Sequence, residues 1–309
     1  DKVKVESSGG VYKIFQFFDL LKLAKKLINQ KRPDVISTQD PFFLGLIGIY
    51  LGYRFKIGVE IQVHGWERMS WLKKNLAKFI LRRAKAVRTV SERLKEELMK
   101  DYGVKEMVIT VVPILLKSNP EKSPILNKIN KFVFLTVGRL VPVKNISLQI
   151  KAAAAYKKKN KDFEWWIIGA GPEKEKLKMM SEKLLVADRV KFLGNKNFED
   201  LAAYYKTADC FVLTSFSEGW GMAVAEAAQV GLPIIMTDVG CAGELIKDNE
   251  SGLIIKNNLE DLLIAVDKVF NEQKLRQKLS LGSKKAVESL PQESEILNLY
   301  FKSWQKAQI

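Results

Sequence analysis

The feature that most restricts this 309-residue chain is a repeated alternation of helix-period stretches with short β-branched or aromatic runs. In the first half a helical stretch at 14–29 leads to a run at 34–37, and further runs follow at 56–63, 86–90 and 108–112. Ser91 suits the N-cap of a helix over 92–100, because its hydroxyl can accept from first-turn N–H groups. In the second half the runs fall at 132–137, 164–168, 190–193, 210–213 and 233–236, with helical stretches at 146–158, 260–270, 272–281 and 294–308. Runs that return through helices in this way pair as parallel sheets with crossover connections. The polar, proline-bearing stretch 118–131 reads as a linker between two such units. The expected domains are 1–125 and 131–290, followed by a terminal helix within 291–309.

Within that frame the segment 218–233 is the most informative. The apolar run 210–213 feeds a polar turn holding Glu218, Gly219, Trp220 and Gly221, and an Ala-rich helix begins near Met222. Glu226 lies about one turn into that helix. Gly231 fits its C-cap, and Pro233 stops it from continuing. The two glycines let backbone N–H groups approach a ligand closely, and the helix N-terminus adds positive potential. Such an arrangement suits a phosphate, with Glu226 within reach of sugar hydroxyls beside it. Taken alone, the same residues fit a strand-turn-helix unit of any α/β protein.

A second loop, after the run 132–137, carries Gly138, Arg139 and Lys144 ahead of a helix. Arginine offers a planar fork of donors and lysine a movable point charge, so the pair is placed to meet one anion. A solvated surface loop is the alternative reading.

Together these segments resemble the retaining glycosyltransferases of family 4. The matching pieces, in the family's order, are Gly138-Arg139 with Lys144-Asn145, Gly169-Ala170-Gly171-Pro172 and Lys191-Phe192-Leu193-Gly194. They continue with Ala208-Asp209, the Glu218/Glu226 pair, and Gly240 with Glu244. The set covers most of residues 34–256. The resemblance implies the GT-B architecture, two Rossmann-like parallel-sheet domains facing a cleft, with the terminal helix returning to the first domain. It also implies that the chain enters the family pattern partway through an incomplete N-terminal domain. Gly9-Gly10 then reads as an ordinary turn and not as the family's acceptor loop.

The chemistry implied by the resemblance is retaining transfer from a UDP- or GDP-linked sugar. Arg139 and Lys144 would neutralise the leaving diphosphate, and the amides of Gly219, Trp220, Gly221 and Met222 would add hydrogen bonds that strengthen as charge develops. Glu226 would accept from the ribose, Leu193 and Gly194 would hold the base, and Glu218 would orient the sugar. His64, the chain's single histidine, ends the run 56–63, where sites of open α/β sheets form. The resemblance sets it against the donor sugar; without it, a hydrogen-bonded strand-end histidine is the simpler reading. The leaving phosphate itself would remove the acceptor's proton, so the two carboxylates need not act as they do in glycosidases. There is no Asp-x-Asp in the chain, and the Arg/Lys pair stands in for a metal-held diphosphate; no cofactor is expected. Trp220 stands where smaller aromatics are common and would narrow the donor pocket. Cys241 replaces a frequent glycine.

Charge adds a partner. The net charge is +16, and residues 1–120 hold 23 Lys and Arg against 12 Asp and Glu, while the remainder holds 28 against 23. The excess in the first half implies an anionic partner, with a Lys-rich solubility surface as the alternative. Residues 66–88 interleave Arg68, Lys73, Lys74, Lys78, Arg82, Arg83, Lys85 and Arg88 with Trp66, Trp71, Leu72 and Phe79. That pattern fits a basic amphipathic helix for an anionic membrane surface, or an ordinary helix with one packed face. Two distant cysteines form no disulfide framework, no signal peptide opens the chain, and the apolar stretch 42–53 is short for a membrane span. A cytoplasmic enzyme, peripheral on the inner face of the plasma membrane, fits these features. Its acceptor would be a glycan or lipid-linked glycan. Two other readings stand beside it: a sugar-nucleotide epimerase of the same fold, and a basic nucleic-acid-binding module. The phosphate-loop pattern gives the second of these no role for its residues, so no specific nucleic acid is expected.

Overall fold

The computed structural model describes residues 14–65, 70–116, 126 and 130–308. The linker 118–131, Gly9-Gly10 and Trp66 to Arg68 therefore lie wholly or largely outside the described residues.

The first α/β unit runs α1 (Ile14–Gln30), β1 (Val35–Thr38), α2 (Phe43–Phe55), β2 (Gly58–Val63), α3 (Trp71–Leu81), β3 (Ala86–Thr89), α4 (Glu92–Tyr102) and β4 (Ile109–Val111). Its strands form a parallel sheet in the order β1-β2-β3-β4. β2 starts two residues later than its apolar run suggested, because Lys56 adopts a left-handed conformation (φ 53°) that closes α2. α2 takes up the apolar stretch 42–53. No helix among the described residues is long and apolar enough to cross a membrane.

The second unit contains β5 (Phe132–Val137), α5 (Ile146–Lys157), β6 (Phe163–Ile168), α6 (Lys174–Lys183), β7 (Val190–Gly194), α7 (Phe198–Thr207), β8 (Cys210–Leu213), α8 (Met222–Gln229), β9 (Ile234–Thr237) and β10 (Leu253–Ile255). α9 (Leu259–Asn271) and α10 (Gln273–Glu288) complete it, and α11 (Glu293–Ala307) follows. The sheet is parallel in the order β10-β9-β8-β5-β6-β7. The order reverses between β5 and β8, and a doubly wound sheet opens its ligand crevice at the carboxyl ends of such a strand pair. The loops that follow these two strands are 138–145 and 214–221, the two segments singled out in the sequence.

One apolar cluster spans both units. It joins Ile61, Ile80 and Leu98 of the first to Phe211, Val224 and Ile234 of the second. A second fills the opposite face of the second sheet beneath α5 and α9, around Ile150, Trp165 and Val266, and a small third joins Ile28, Ile47, Leu51 and Ile57 in the first unit.

α11 returns to the first sheet. Ser303 donates to Glu60 on β2, and Lys306 Nζ donates to the Ile109 carbonyl at 2.7 Å. The approach is so close that a methyl group on Gly58 would collide with the carbonyl oxygen of Ala307.

The basic segment 66–88 is not one helix. α3 covers only 71–81, and 86–88 belong to β3. Arg88 is 6% exposed and lies against Glu60, so it is no part of a surface patch. Sheet pairing with Gln62 overrides helix periodicity there. α3 itself buries Ala77, Ile80 and Leu81 and leaves Trp71, Leu72 and Phe79 exposed.

Candidate active site between the two sheets

The loop after β5 is held by its own turns. Pro142–Lys144 forms a short 3-10 turn, and Asn145 adopts a left-handed conformation (φ 47°) before α5 begins. The turn after β8 is tied to it. Phe216 N–H donates to the Val143 carbonyl at 2.8 Å, and the Thr214 hydroxyl donates to the Asn145 carbonyl at 3.0 Å. Asn257 braces both, accepting from the Asn145 amide at 2.7 Å and donating to the Thr214 carbonyl at 2.9 Å.

On this scaffold Lys144 Nζ lies 2.5 Å from Glu218 Oε1, and the Ser215 hydroxyl donates to the same oxygen at 2.6 Å. The lysine and glutamate side chains are only 20% and 12% exposed, so the pair is shielded but still open to the crevice. A cation held this way is oriented without being spent, since an arriving anion can share it. Arg139 sits on the exposed side of the same loop.

α8 starts at Met222, with Gly221 before it at φ 100°. Its helical N–H groups face the same crevice end of the sheet. Trp220 does not narrow a pocket there. Its side chain is 5% exposed and joins the apolar cluster, so only its backbone is available. Cys241 N–H donates to the Trp220 carbonyl at 2.7 Å and fixes that backbone.

Glu226 lies in the second turn of α8, partly buried, and its Oε2 accepts the Tyr205 hydroxyl at 2.9 Å. Burial pushes the carboxyl above its ordinary range, and the Tyr205 bond opposes that shift. Leu193 and Gly194 end β7. Gly194 has φ 71° and open space around its α-carbon.

The first unit contributes His64, directly after β2. Its Nε2 lies 3.2 Å from Gln62 Oε1. Burial, and then the charge of Arg88, hold its imidazole below the usual histidine range. The two units meet at this point. A methyl group on Gly219 would collide with the His64 carbonyl, and the Ser91 hydroxyl donates to the Gly219 carbonyl at 3.2 Å. His64 and the Glu218 turn thus share one cleft.

Several of these partners are silent in the sequence. Tyr205 is one of three aromatics on α7. Ser215 and Asn257 carry no motif. Gln62 had a signal: two residues before His64 on a strand puts both on one face. Among the described residues no cluster of three or more His, Cys, Asp or Glu is arranged to hold a metal.

Comparison with known proteins gives the family. Residues 118–286 match the model described as glycosyl transferases group 1, and residues 7–114 match glycosyltransferase family 4. An uncharacterized glycosyltransferase of Methanocaldococcus jannaschii is 27% identical over 269 residues, covering 85% of this chain and 73% of the relative. The alpha-monoglucosyldiacylglycerol synthase of Streptococcus pneumoniae is 27% identical over 287 residues, covering 83% of this chain and 64% of the relative. Among solved structures, Anabaena HepE in complex with UDP superposes with a TM-score of 0.81 at 17% identity, over 93% of this chain and 82% of that one. Sucrose-phosphate synthase from Thermosynechococcus elongatus gives 0.82 at 20% identity, over 95% and 79%. With its two parallel sheets in the GT-B arrangement and both halves matched, the chain belongs to the group 1 and family 4 glycosyltransferases and is a transferase enzyme.

Proposed function

We propose that the protein transfers a sugar, with retention, from a UDP- or GDP-linked donor to a glycan or lipid-linked acceptor. The observation that carries this reading is the Lys144–Glu218 pair at the switch point of the second sheet, on the turn whose Gly219 packs against the His64 backbone. The donor's diphosphate lies between Lys144, Arg139 and the first N–H groups of α8, which take up the charge that grows as the sugar leaves. These cations serve in place of a metal, so turnover survives EDTA. Glu226 accepts from the ribose, and the strand end at Leu193 and Gly194 borders the base. Glu218, released from Lys144 by the diphosphate, orients the sugar near its reacting carbon. The departing phosphate takes the acceptor's proton on the same face, and no enzyme nucleophile forms a bond.

The relative named for monoglucosyldiacylglycerol synthesis supports an acceptor carried on lipid. So does the surface of α3, where exposed Trp71, Leu72 and Phe79 lie among Lys73, Lys74 and Arg83. We place the enzyme at the cytoplasmic leaflet on that basis, since each surface cation near anionic lipid contributes about 1 kcal/mol.

Calorimetry of the whole chain with UDP and GDP is the primary test. Binding of at least one nucleotide, stronger than binding of inorganic pyrophosphate, is expected. Failure of both overturns the donor assignment. Co-sedimentation with phosphatidylglycerol vesicles, released as salt rises, tests the acceptor surface; equal retention by neutral vesicles counts against it.

A further inference from the structure

Glu60 and Gln62 on one face of β2, and His64 just past its end, fall at every second position, and these three belong to a single chain of hydrogen bonds. Glu60 is fully buried. It accepts from the Ser37 hydroxyl on β1 at 2.5 Å and from the Ser303 hydroxyl on α11, and Arg88 Nε on β3 lies 3.4 Å away. The Arg88 guanidinium also lies 4.1 Å from the Tyr300 ring of α11. A carboxylate paired with arginine only accepts, so the Ser37 proton is committed to Glu60. The Ser37 oxygen is then free to accept, and it does so from Gln62 Nε2 at 2.7 Å. This fixes which end of the Gln62 amide faces which way. Its carbonyl oxygen, an acceptor only, is left facing His64 Nε2 at 3.2 Å.

We propose that Gln62 is a positioning residue that holds His64 as the Nε2–H tautomer and leaves Nδ1 as an acceptor for a hydroxyl of the bound sugar. The assignment rests on the sugar-transfer reading above. It gives the buried polar groups of the first sheet a purpose that stability alone does not require, since a buried ion pair is seldom worth more than an apolar replacement. It also limits the chemistry of His64. A neutral imidazole whose only proton is held by Gln62 can receive a hydrogen bond from the sugar, but it has no proton to deliver to the leaving phosphate. The polarity runs from the Glu60 carboxylate outward, so α11, through Ser303 and Tyr300, helps set the state of a residue in the cleft. Burial and the nearby Arg88 charge act in the same direction by disfavouring the imidazolium.

His64 is the only histidine, so every imidazole signal of the full chain belongs to it. Long-range proton–nitrogen correlation spectra at neutral pH read the tautomer directly. The expected spectrum has one pyrrole-like nitrogen, Nε2, and one pyridine-like nitrogen, Nδ1. Gln62→Met is expected to move both nitrogens toward the averaged shifts of an exchanging imidazole. Ser37→Ala, on the edge strand β1, is expected to move them the same way by less, because it frees the Gln62 amide without disturbing the core. Averaged shifts in the parent, a proton on Nδ1, or unchanged shifts in both variants would overturn the proposal. Calorimetry with UDP and GDP on the same samples separates the two readings. If neither nucleotide binds the parent but one tautomer is seen, the UDP- or GDP-linked donor reading and the sugar contact fall and the Gln62 relay stands. If nucleotide binds and the shifts are averaged, only the relay falls.

Discussion

The carboxylate of Glu244, in the second α/β unit, accepts the backbone N–H of Arg93 at 2.9 Å in the first turn of α4, across the boundary between the units. It also accepts from Glu92 N–H at 3.1 Å. The Arg93 side chain reaches back to the Asp238 carboxylate and to the Ala242 carbonyl. Ser91 already caps the N–H of Leu94, so Glu244 satisfies helix-end donors that the cap does not reach. The negative charge also meets the positive end of α4. This clamp joins the two units beside the contact of Gly219 with His64. Glu244→Ala is expected to destabilise the protein by about 1 kcal/mol, as loss of a helix cap does. It should also widen the molecule in small-angle scattering. An unchanged scattering profile and unchanged melting would show that the clamp does not hold the units together.

Lys144→Ala should weaken nucleoside diphosphate binding by about tenfold to a hundredfold, the cost of one charge-assisted hydrogen bond at a shielded site. Arg139→Ala should act in the same direction by less, because that residue is more exposed and better screened. Titration calorimetry with UDP and GDP measures both. Affinity equal to the parent in both variants would remove this loop from the donor site.

Tyr205→Phe deletes the hydroxyl that Glu226 accepts. With burial unopposed, the carboxyl should rise further above its ordinary range. Affinity for UDP is expected to fall by about threefold to tenfold, the value of one neutral hydrogen bond. Affinity for inorganic pyrophosphate, which has no ribose, should not change. Equal losses for both ligands would argue that Tyr205 acts on the phosphate loop.

His64 should titrate below the value of about 6.5 typical of free histidine. Its folded-state pKa is depressed by burial and by Arg88, so the unfolded chain binds the proton first as pH falls. The resulting stability is present above the unfolded value and is lost as pH drops through the window down to the folded value. Nuclear magnetic resonance titration of the single imidazole gives the midpoint. A midpoint above that of a denatured control would contradict the cause assigned here. Arg88→Met should raise it.

Gly58→Ala places a methyl group on the Ala307 carbonyl. The end of α11 must shift, at a cost of about 1–3 kcal/mol for such overpacking. Urea denaturation measures the loss. The same variant should disturb the His64 nitrogen shifts, because Ser303 and Tyr300 move with the helix.

The sequence by itself determined the two parallel sheets, the placement of nearly every strand, and the two loops that lie at the switch point. β-branched runs, a serine cap and a glycine-proline helix stop are local signals, and they act through backbone preferences that the rest of the chain does not override. It also marked His64, Lys144, Glu218 and Glu226, because charged groups at strand ends and helix starts are visible in a linear text. It did not show that 253–255 is a strand, since a three-residue run carries no period. It gave 86–90 a strand and also ran a basic helix over 66–88; the strand holds, and Arg88 is buried in the sheet. Its fate depended on Glu60, 28 positions earlier, which supplies the charge that makes burial tolerable. It set Trp220 at the pocket, although the indole turned into a core contributed by both units. The pairing of Lys144 with Glu218, of Tyr205 with Glu226, of Glu244 with Arg93, and the line from Ser303 to His64 were decided only by tertiary structure. Each joins residues far apart in sequence, and hydrogen-bond partners at that range are chosen by packing, for which no local spacing stands as a sign.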